Sequence, residues 1–233
     1  FPEYSLLDGD YSQIELRVLA HISNDQKFIE AFLKGEDIHK KTASEVFHVD
    51  LEDVTPDLRY RAKAVNFGIV YGISDYGLAR DLNISRKEAK EYMDNYFNKF
   101  NLVRKYMDDI VEKGKEEGYV ETILNRRRYI PELKAKNFNV RSFGERVAMN
   151  TPIQGSAADI IKLAMVKVYK ELKNRKLKSR LILTVHDELI FEVHRNEIDE
   201  VEKLVKNIME NSIELKVPLK VDFAIGDSWY DTK

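Results

Sequence analysis

Cysteine is missing from all 233 residues. Its absence excludes a disulfide framework and a thiolate metal site, and it fits an intracellular protein. Long apolar runs are missing as well. Hydrophobic residues make up 43% of the chain, yet no stretch approaches the length of a membrane span, so a soluble, cytoplasmic protein with no membrane partner is expected. No signal peptide, internal repeat, low-complexity tract or flexible linker is visible. The length allows one substantial core or two modest ones.

An excess of positive charge is also lacking. Lys and Arg number 38 against 40 Asp and Glu, a net charge of −2, which argues mildly against a nucleic-acid partner. The distribution reverses that impression: residues 56–146 hold 19 basic against 14 acidic residues, whereas residues 187–233 hold 6 against 12. A basic middle and an acidic end can hold phosphates at one place and cations at another.

Strand and helix signals alternate along the chain. Residues 1–10 read as a buried strand ending at Asp10, and Ser12-Gln13-Ile14-Glu15 fits a capping box that opens a helix to about His21. Residues 24–47 are helical in pattern and include His39; Ser85-Arg86-Lys87-Glu88 is a second capping box, and a further helix stops at Gly118. Tyr119–Leu124 and a partner strand through Ile130 flank a turn at Asn125-Arg126. Arg126, Arg127 and Arg128 lie there, as a solvated loop or as a cationic loop that a phosphate backbone would recruit. A helix over 139–150 should end at Thr151-Pro152, and Ser156 should start a long one to about Leu177. Arg146, Asn150 and Gln154 recur at four-residue spacing beside that break. Two apolar strands flank His186-Asp187-Glu188, and a helix over 197–215 and a strand over 219–225 follow. Adjacent acids between apolar strands repel each other and are costly to bury, and the usual compensation is a cation.

The densest signal runs from Thr55 to Gly72. Thr55 suits an N-cap, Pro56 the first helical position and Gly72 the left-handed residue after a helix. Between them Arg59, Lys63, Phe67 and Tyr71 recur every fourth residue, a stripe that winds by roughly 120° over roughly 18 Å. As plain structure this is an amphipathic surface helix with a few basic residues. As chemistry, two cations followed by two flat rings match a polyphosphate followed by a base.

Arg-x3-Lys-x3-Phe-x3-Tyr-Gly over 59–72 resembles the nucleotide-binding helix of family A DNA polymerases, the bacterial DNA polymerase I type. Two further motifs of that family occur in its order, Asp10-Tyr11-Ser12-Gln13-Ile14-Glu15-Leu16-Arg17 and His186-Asp187-Glu188, and the resemblance extends from about Leu6 to Trp229. It implies an α+β fold: an antiparallel palm sheet with packed helices, formed by residues 1–30 and 141–233, with mostly helical fingers over 31–140 inserted between them. It implies DNA-templated addition of deoxynucleotides to a primer 3′-hydroxyl, in replication and repair, with two Mg²⁺ ions, or Mn²⁺ in their place.

The site residues follow from the same resemblance. Asp10, Asp187, the Tyr11 carbonyl and Glu188 would hold the metals; Gln13, Glu15, His39, Arg59, Lys63, Phe67 and Tyr71 would meet the nucleotide. Glu15 would exclude a 2′-hydroxyl, and Lys63 would neutralise the phosphates and protonate the leaving pyrophosphate. Arg126, Arg127, Arg128, Arg146, Asn150, Gln154 and His186 would face primer-template DNA. Tyr60 and Thr184 depart from the Arg and Gln common in the family, and Asn125 replaces a frequent Gly. The family's thumb and first palm strands precede these motifs, so the missing N-terminal half is an expected partner, and an unpaired sheet edge is expected beside Asp10. Two other classes stay open: a non-catalytic fragment that binds nucleotide or DNA, and a metal-dependent phosphohydrolase using the same carboxylates.

Overall fold

The computed structural model describes residues 3–232. They divide into two compact units, one formed by the residues up to Ile14 and those from Ala157 onward, the other by Glu15–Ser156.

Strand β1 (Tyr4–Tyr11) opens the first unit. The expected strand start at Phe1 lies outside the described residues. Helix α1 (Ile14–Ser23) begins later than the capping box predicts. Gln13 stands in the left-handed region at φ 55°, so the helical backbone that a Ser12 cap requires immediately after itself is not there.

In the second unit the helical stretch over 24–47 is two helices, α2 (Gln26–Leu33) and α3 (Ile38–Phe47). Gly35 at φ 68° separates them, and Asp37 caps the second. Helix α4 (Pro56–Val70) has the predicted punctuation: the Leu58 N–H donates to Thr55 Oγ1 at 3.3 Å, Pro56 takes the first position and Gly72 follows at φ 66°. Its neighbours are α5 (Asp75–Leu82), which the sequence reading does not anticipate, α6 (Arg86–Lys99), capped by Ser85, and α7 (Asn101–Glu117), closed by Gly118 at φ 81°. A short hairpin, β2 (Tyr119–Glu121) with β3 (Arg127–Tyr129), turns at Asn125, whose φ of 61° an Asn tolerates as a Gly would.

Helix α8 (Phe138–Asn174) corrects a larger expectation, because it runs through Pro152 where two helices should meet. An interior proline costs about 3 kcal/mol in a helix. Here Ala148, one turn earlier, is fully buried among Val111, Val120, Ile130 and Leu133, and Ile153 just after it is also fully buried. The Ser156 hydroxyl donates to the Pro152 carbonyl at 2.5 Å. Side chains anchored on both sides of the proline hold the helix together where the local signal breaks it.

The rest of the first unit is β4 (Arg180–Val185), β5 (Glu188–His194), α9 (Ile198–Glu210) and β6 (Val221–Gly226). The four strands form an antiparallel sheet in the order β4-β5-β1-β6, as the α+β reading expects. Strand β1 is interior and paired on both sides, so no edge is open beside Asp10. The edges are β4, which exposes Ile182 and Leu183, and β6, which exposes Ile225.

Candidate active-site residues

The first unit assembles the carboxylates. Asp10, next to last in β1, stands opposite Glu188 of β5 and opposite Asp222 of β6. Residues paired in this way leave the sheet on the same face with Cβ atoms about 4.5–5.5 Å apart, so three acids form a row across three strands. Asp187 immediately precedes β5 in a turn where His186 adopts φ 53°, and its carbonyl accepts the Tyr11 N–H at 3.2 Å. The Tyr11 ring is buried and its hydroxyl donates to the Met209 carbonyl at 2.7 Å, close to Ser212, which anchors the end of β1 beneath α9. Burial pushes the phenol's pKa far above its ordinary value. Gly9 lets β6 approach, since a Cβ there would lie 2.9 Å from the Phe223 ring.

Like charges in such a row destabilise one another. A hard divalent cation relieves that repulsion, and oxygen donors are what it prefers; Mg²⁺ in particular takes one or two carboxylates and completes its shell with water and substrate phosphate. The donors present fit that pattern. They do not make a complete protein cage, because among the described residues no three His, Cys, Asp or Glu side chains gather to hold a metal. Asp222 has no part in the sequence reading. It is a lone acid in an apolar strand, and only the register of β6 against β1 places it beside Asp10.

The second unit carries the cationic and aromatic stripe of α4. Arg59 is half exposed and its Nε donates to Asp37 Oδ2 at 2.7 Å. Burial alone would raise the Asp37 pKa, but the Arg59 bond and the backbone N–H groups of Lys40 and His39 outweigh it and hold the carboxyl below its ordinary value. Lys63 is exposed. The Phe67 ring lies between two others, tilted against His39 at 5.7 Å and stacked on Tyr71 at 6.4 Å with 19° between planes. His39 is buried, and its pKa is pushed down to about 4, first by that burial, with Arg59 and Lys63 adding to it against the pull of Asp37. Phe67, Tyr71 and Arg146 line an open cleft of about 510 Å³. Gly72, which follows Tyr71, stands at φ 66°, and a Cβ there would lie 3.0 Å from Met149 Cε and 3.2 Å from Arg146 Cγ.

The remaining expected contacts divide. Arg126, Arg127 and Arg128 are all exposed, but Arg127 pairs with Glu121 at 2.9 Å and covers the Tyr119 ring, and Arg128 donates to Thr151 Oγ1 at 3.2 Å. Asn150 donates to the Val70 carbonyl at 3.1 Å, capping the end of α4. Arg146 is exposed, with its guanidinium toward Ser142 and Phe143, and Gln154 is exposed. In the first unit His186 is exposed at its left-handed turn. Gln13 and Glu15 are half-buried at the start of α1. Among the described residues no helix is long and apolar enough to cross a membrane.

Comparison with known proteins gives concordant matches. The model of DNA polymerase family A matches residues 2–231. DNA polymerase I of Geobacillus stearothermophilus is 59% identical over 232 residues, which is 100% of this chain and 26% of that protein. DNA polymerase I of Bacillus subtilis is 60% identical over 231 residues, 99% of this chain and again 26% of the relative. The chain thus spans about a quarter of the length of these curated relatives. A solved structure, the POL domain of Pol1 from M. smegmatis in complex with DNA primer-template and dNTP, is 50% identical with a TM-score of 0.96, covering 100% of this chain and 41% of that one.

Proposed function

The chain belongs to DNA polymerase family A, and on that premise we propose that it forms the fingers and palm of a DNA-templated DNA polymerase, extending a primer 3′-hydroxyl with deoxynucleotides and releasing pyrophosphate. The observation that carries this reading is the α4 stripe, in which two cations lead to a ring packed between His39 and Tyr71. A triphosphate laid along that stripe meets Arg59, Lys63 and His39, and its base meets Phe67.

The residues divide the work. Lys63 neutralises charge on the phosphates and donates a proton to the leaving pyrophosphate. Arg59 grips phosphate oxygens as a fork once it leaves Asp37. Glu15 and Gln13 stand under the sugar, and Tyr71 occupies the templating position between additions. Asp10, Asp187 and the Tyr11 carbonyl, with Glu188 in support, would hold a pair of Mg²⁺ ions, or Mn²⁺ in their place. When bound, the ions supply activation of the 3′-hydroxyl and neutralisation of the triphosphate in an in-line displacement. Everything else is positioning, which is most of what phosphoryl transfer asks of a protein. Arg126, Arg128, Arg146, Gln154 and His186 meet the primer-template in this reading. In the cell the activity serves replication and repair.

Extension of a labelled primer, with and without Mg²⁺, tests the proposal on this chain alone and after mixing with a separately produced N-terminal portion of the polymerase. Each phosphate contact adds about 0.9 to the salt slope for duplex DNA, so the chain alone should bind weakly with a shallow salt dependence and should gain activity on mixing. Nucleotide and DNA binding without extension in both arms would leave a non-catalytic binder, and hydrolysis of free nucleotide without template would favour a phosphohydrolase.

A further inference from the structure

His39 faces an amide that the nucleotide-binding reading does not use. Asn66 lies on α4 one position before Phe67 and is fully buried. Its Nδ2 lies 3.0 Å from His39 Nδ1, and its Oδ1 accepts the hydroxyl of Thr42, also fully buried, at 3.1 Å. Thr42 stands one turn after His39 on α3, so two residues of one helix hold the two ends of a single carboxamide on the other. Ala62, Val65 and Ile69 make the rest of that face of α4 apolar. A buried amide among them is costly unless each end is bonded, and here each end is.

The orientation of the Asn66 carboxamide decides where the proton of His39 sits. A hydroxyl donating to Oδ1 leaves the amide NH₂ toward the imidazole, and NH₂ has protons but no lone pair to offer. In the orientation the structure shows, His39 Nδ1 accepts and the ring's own proton sits on Nε2. The charged groups about the ring are Asp37, which precedes α3, and Arg59 and Lys63 on α4. Two cations and burial work against an imidazolium, and one carboxylate already engaged by Arg59 works for it.

We propose that Asn66, steered by Thr42, is a positioning residue for triphosphate recognition: it holds His39 as the neutral tautomer protonated on Nε2, so that the ring presents a fixed N–H donor to a phosphate oxygen without adding a third positive charge to Arg59 and Lys63. This rests on the polymerase reading given above. It goes further in assigning the orientation of the His39 proton to a residue that touches no substrate.

The test is ¹⁵N NMR of His39 in the full 233-residue chain, combined with dGTP affinity. The wild-type ring should show an unprotonated Nδ1 and a protonated Nε2, with no titration between pH 5.5 and 8. Asn66→Asp keeps the shape and the Thr42 bond but cannot donate; it should move the proton to Nδ1 and bring the titration of His39 above pH 6.5. Thr42→Val should leave the amide unanchored and mix the two tautomers. At pH 7.5 Asn66→Asp should weaken dGTP binding by about tenfold, the scale of one hydrogen bond, and should cost nothing further in a His39→Gln background. A wild-type ring protonated on Nδ1, an unchanged titration in Asn66→Asp, or additive losses in the double variant would each overturn the assignment. Wild-type protein with the expected tautomer but no affinity for dGTP would instead bring down the nucleotide-binding reading, and this inference with it.

Discussion

Tyr11 donates its backbone N–H to the carbonyl of Asp187 at 3.2 Å, which fixes the end of β1 against the turn before β5. The same pairing sets Asp10 opposite Glu188, and β6 adds Asp222 on the other side. A row of acids built on three hydrogen-bonded strands keeps its spacing whether or not a cation is present, so the repulsion within it is a standing feature of the sheet.

Asp10→Asn and Asp187→Asn should therefore reduce primer extension by more than the roughly 10- to 100-fold that follows loss of an outer-shell metal partner. The thermal midpoint of Asp10→Asn should stay at or above that of the wild type, because it removes one charge from the row. Glu188→Gln should lose less activity. Near-normal extension by either Asn variant, measured in the longer polymerase, would remove Asp10 and Asp187 from the metal site.

Glu15 and Phe67 should govern the sugar. Glu15→Ala should raise ribonucleotide incorporation, and it should also destabilise by about 0.3–1 kcal/mol, since Glu15 is an acid in the first turn of α1. Phe67→Tyr should weaken discrimination against dideoxynucleotides, because a ring without a hydroxyl at this position resembles the family members that discriminate against them. Competition assays between the paired substrates read both effects, and unchanged ratios would reduce Glu15 and Phe67 to structural residues.

Asp37 should compete with a nucleotide phosphate for Arg59, since it already holds the guanidinium at 2.7 Å. Asp37→Asn keeps an N-cap on α3 while releasing the guanidinium, so it should tighten dGTP binding severalfold at pH 7.5 with little loss of helix. The pH dependence has a definite sign. The folded-state pKa of Asp37 is depressed, so its contribution to stability is present above the ordinary carboxylate value of 3.8 and fades as the pH falls below it. Acid titration of the unfolding midpoint should show this loss in the wild type and not in Asp37→Asn.

Pro152→Ala should stabilise the protein. It returns a backbone N–H to a helix that is already continuous, and a gain of about 1–3 kcal/mol should raise the midpoint by about 2–4 °C per kcal/mol. A lower midpoint in thermal unfolding would mean that α8 relies on a distortion only proline supplies.

Features that depend on neighbours within a few positions can be read from the order of residues alone. Thr55, Pro56 and Gly72 bound α4, Ser85 caps α6, Gly118 closes α7 and Asn125 turns the hairpin, because caps and left-handed positions are local choices of the backbone. The spacing of Arg59, Lys63, Phe67 and Tyr71 was legible for the same reason, since residues four apart share a helix face. Other features are imposed by partners far away in the chain. Burial of Ala148 and Ile153 carries α8 through Pro152 against its local preference. Pairing with both β5 and β6 places β1 inside the sheet and brings Asp222 beside Asp10, and no periodicity within β1 encodes either neighbour. Asn66 reads in the sequence as one more polar residue of α4, and it becomes the partner of His39 only when α3 packs against it, because a hydrogen bond between two helices depends on their packing and not on the spacing within either one.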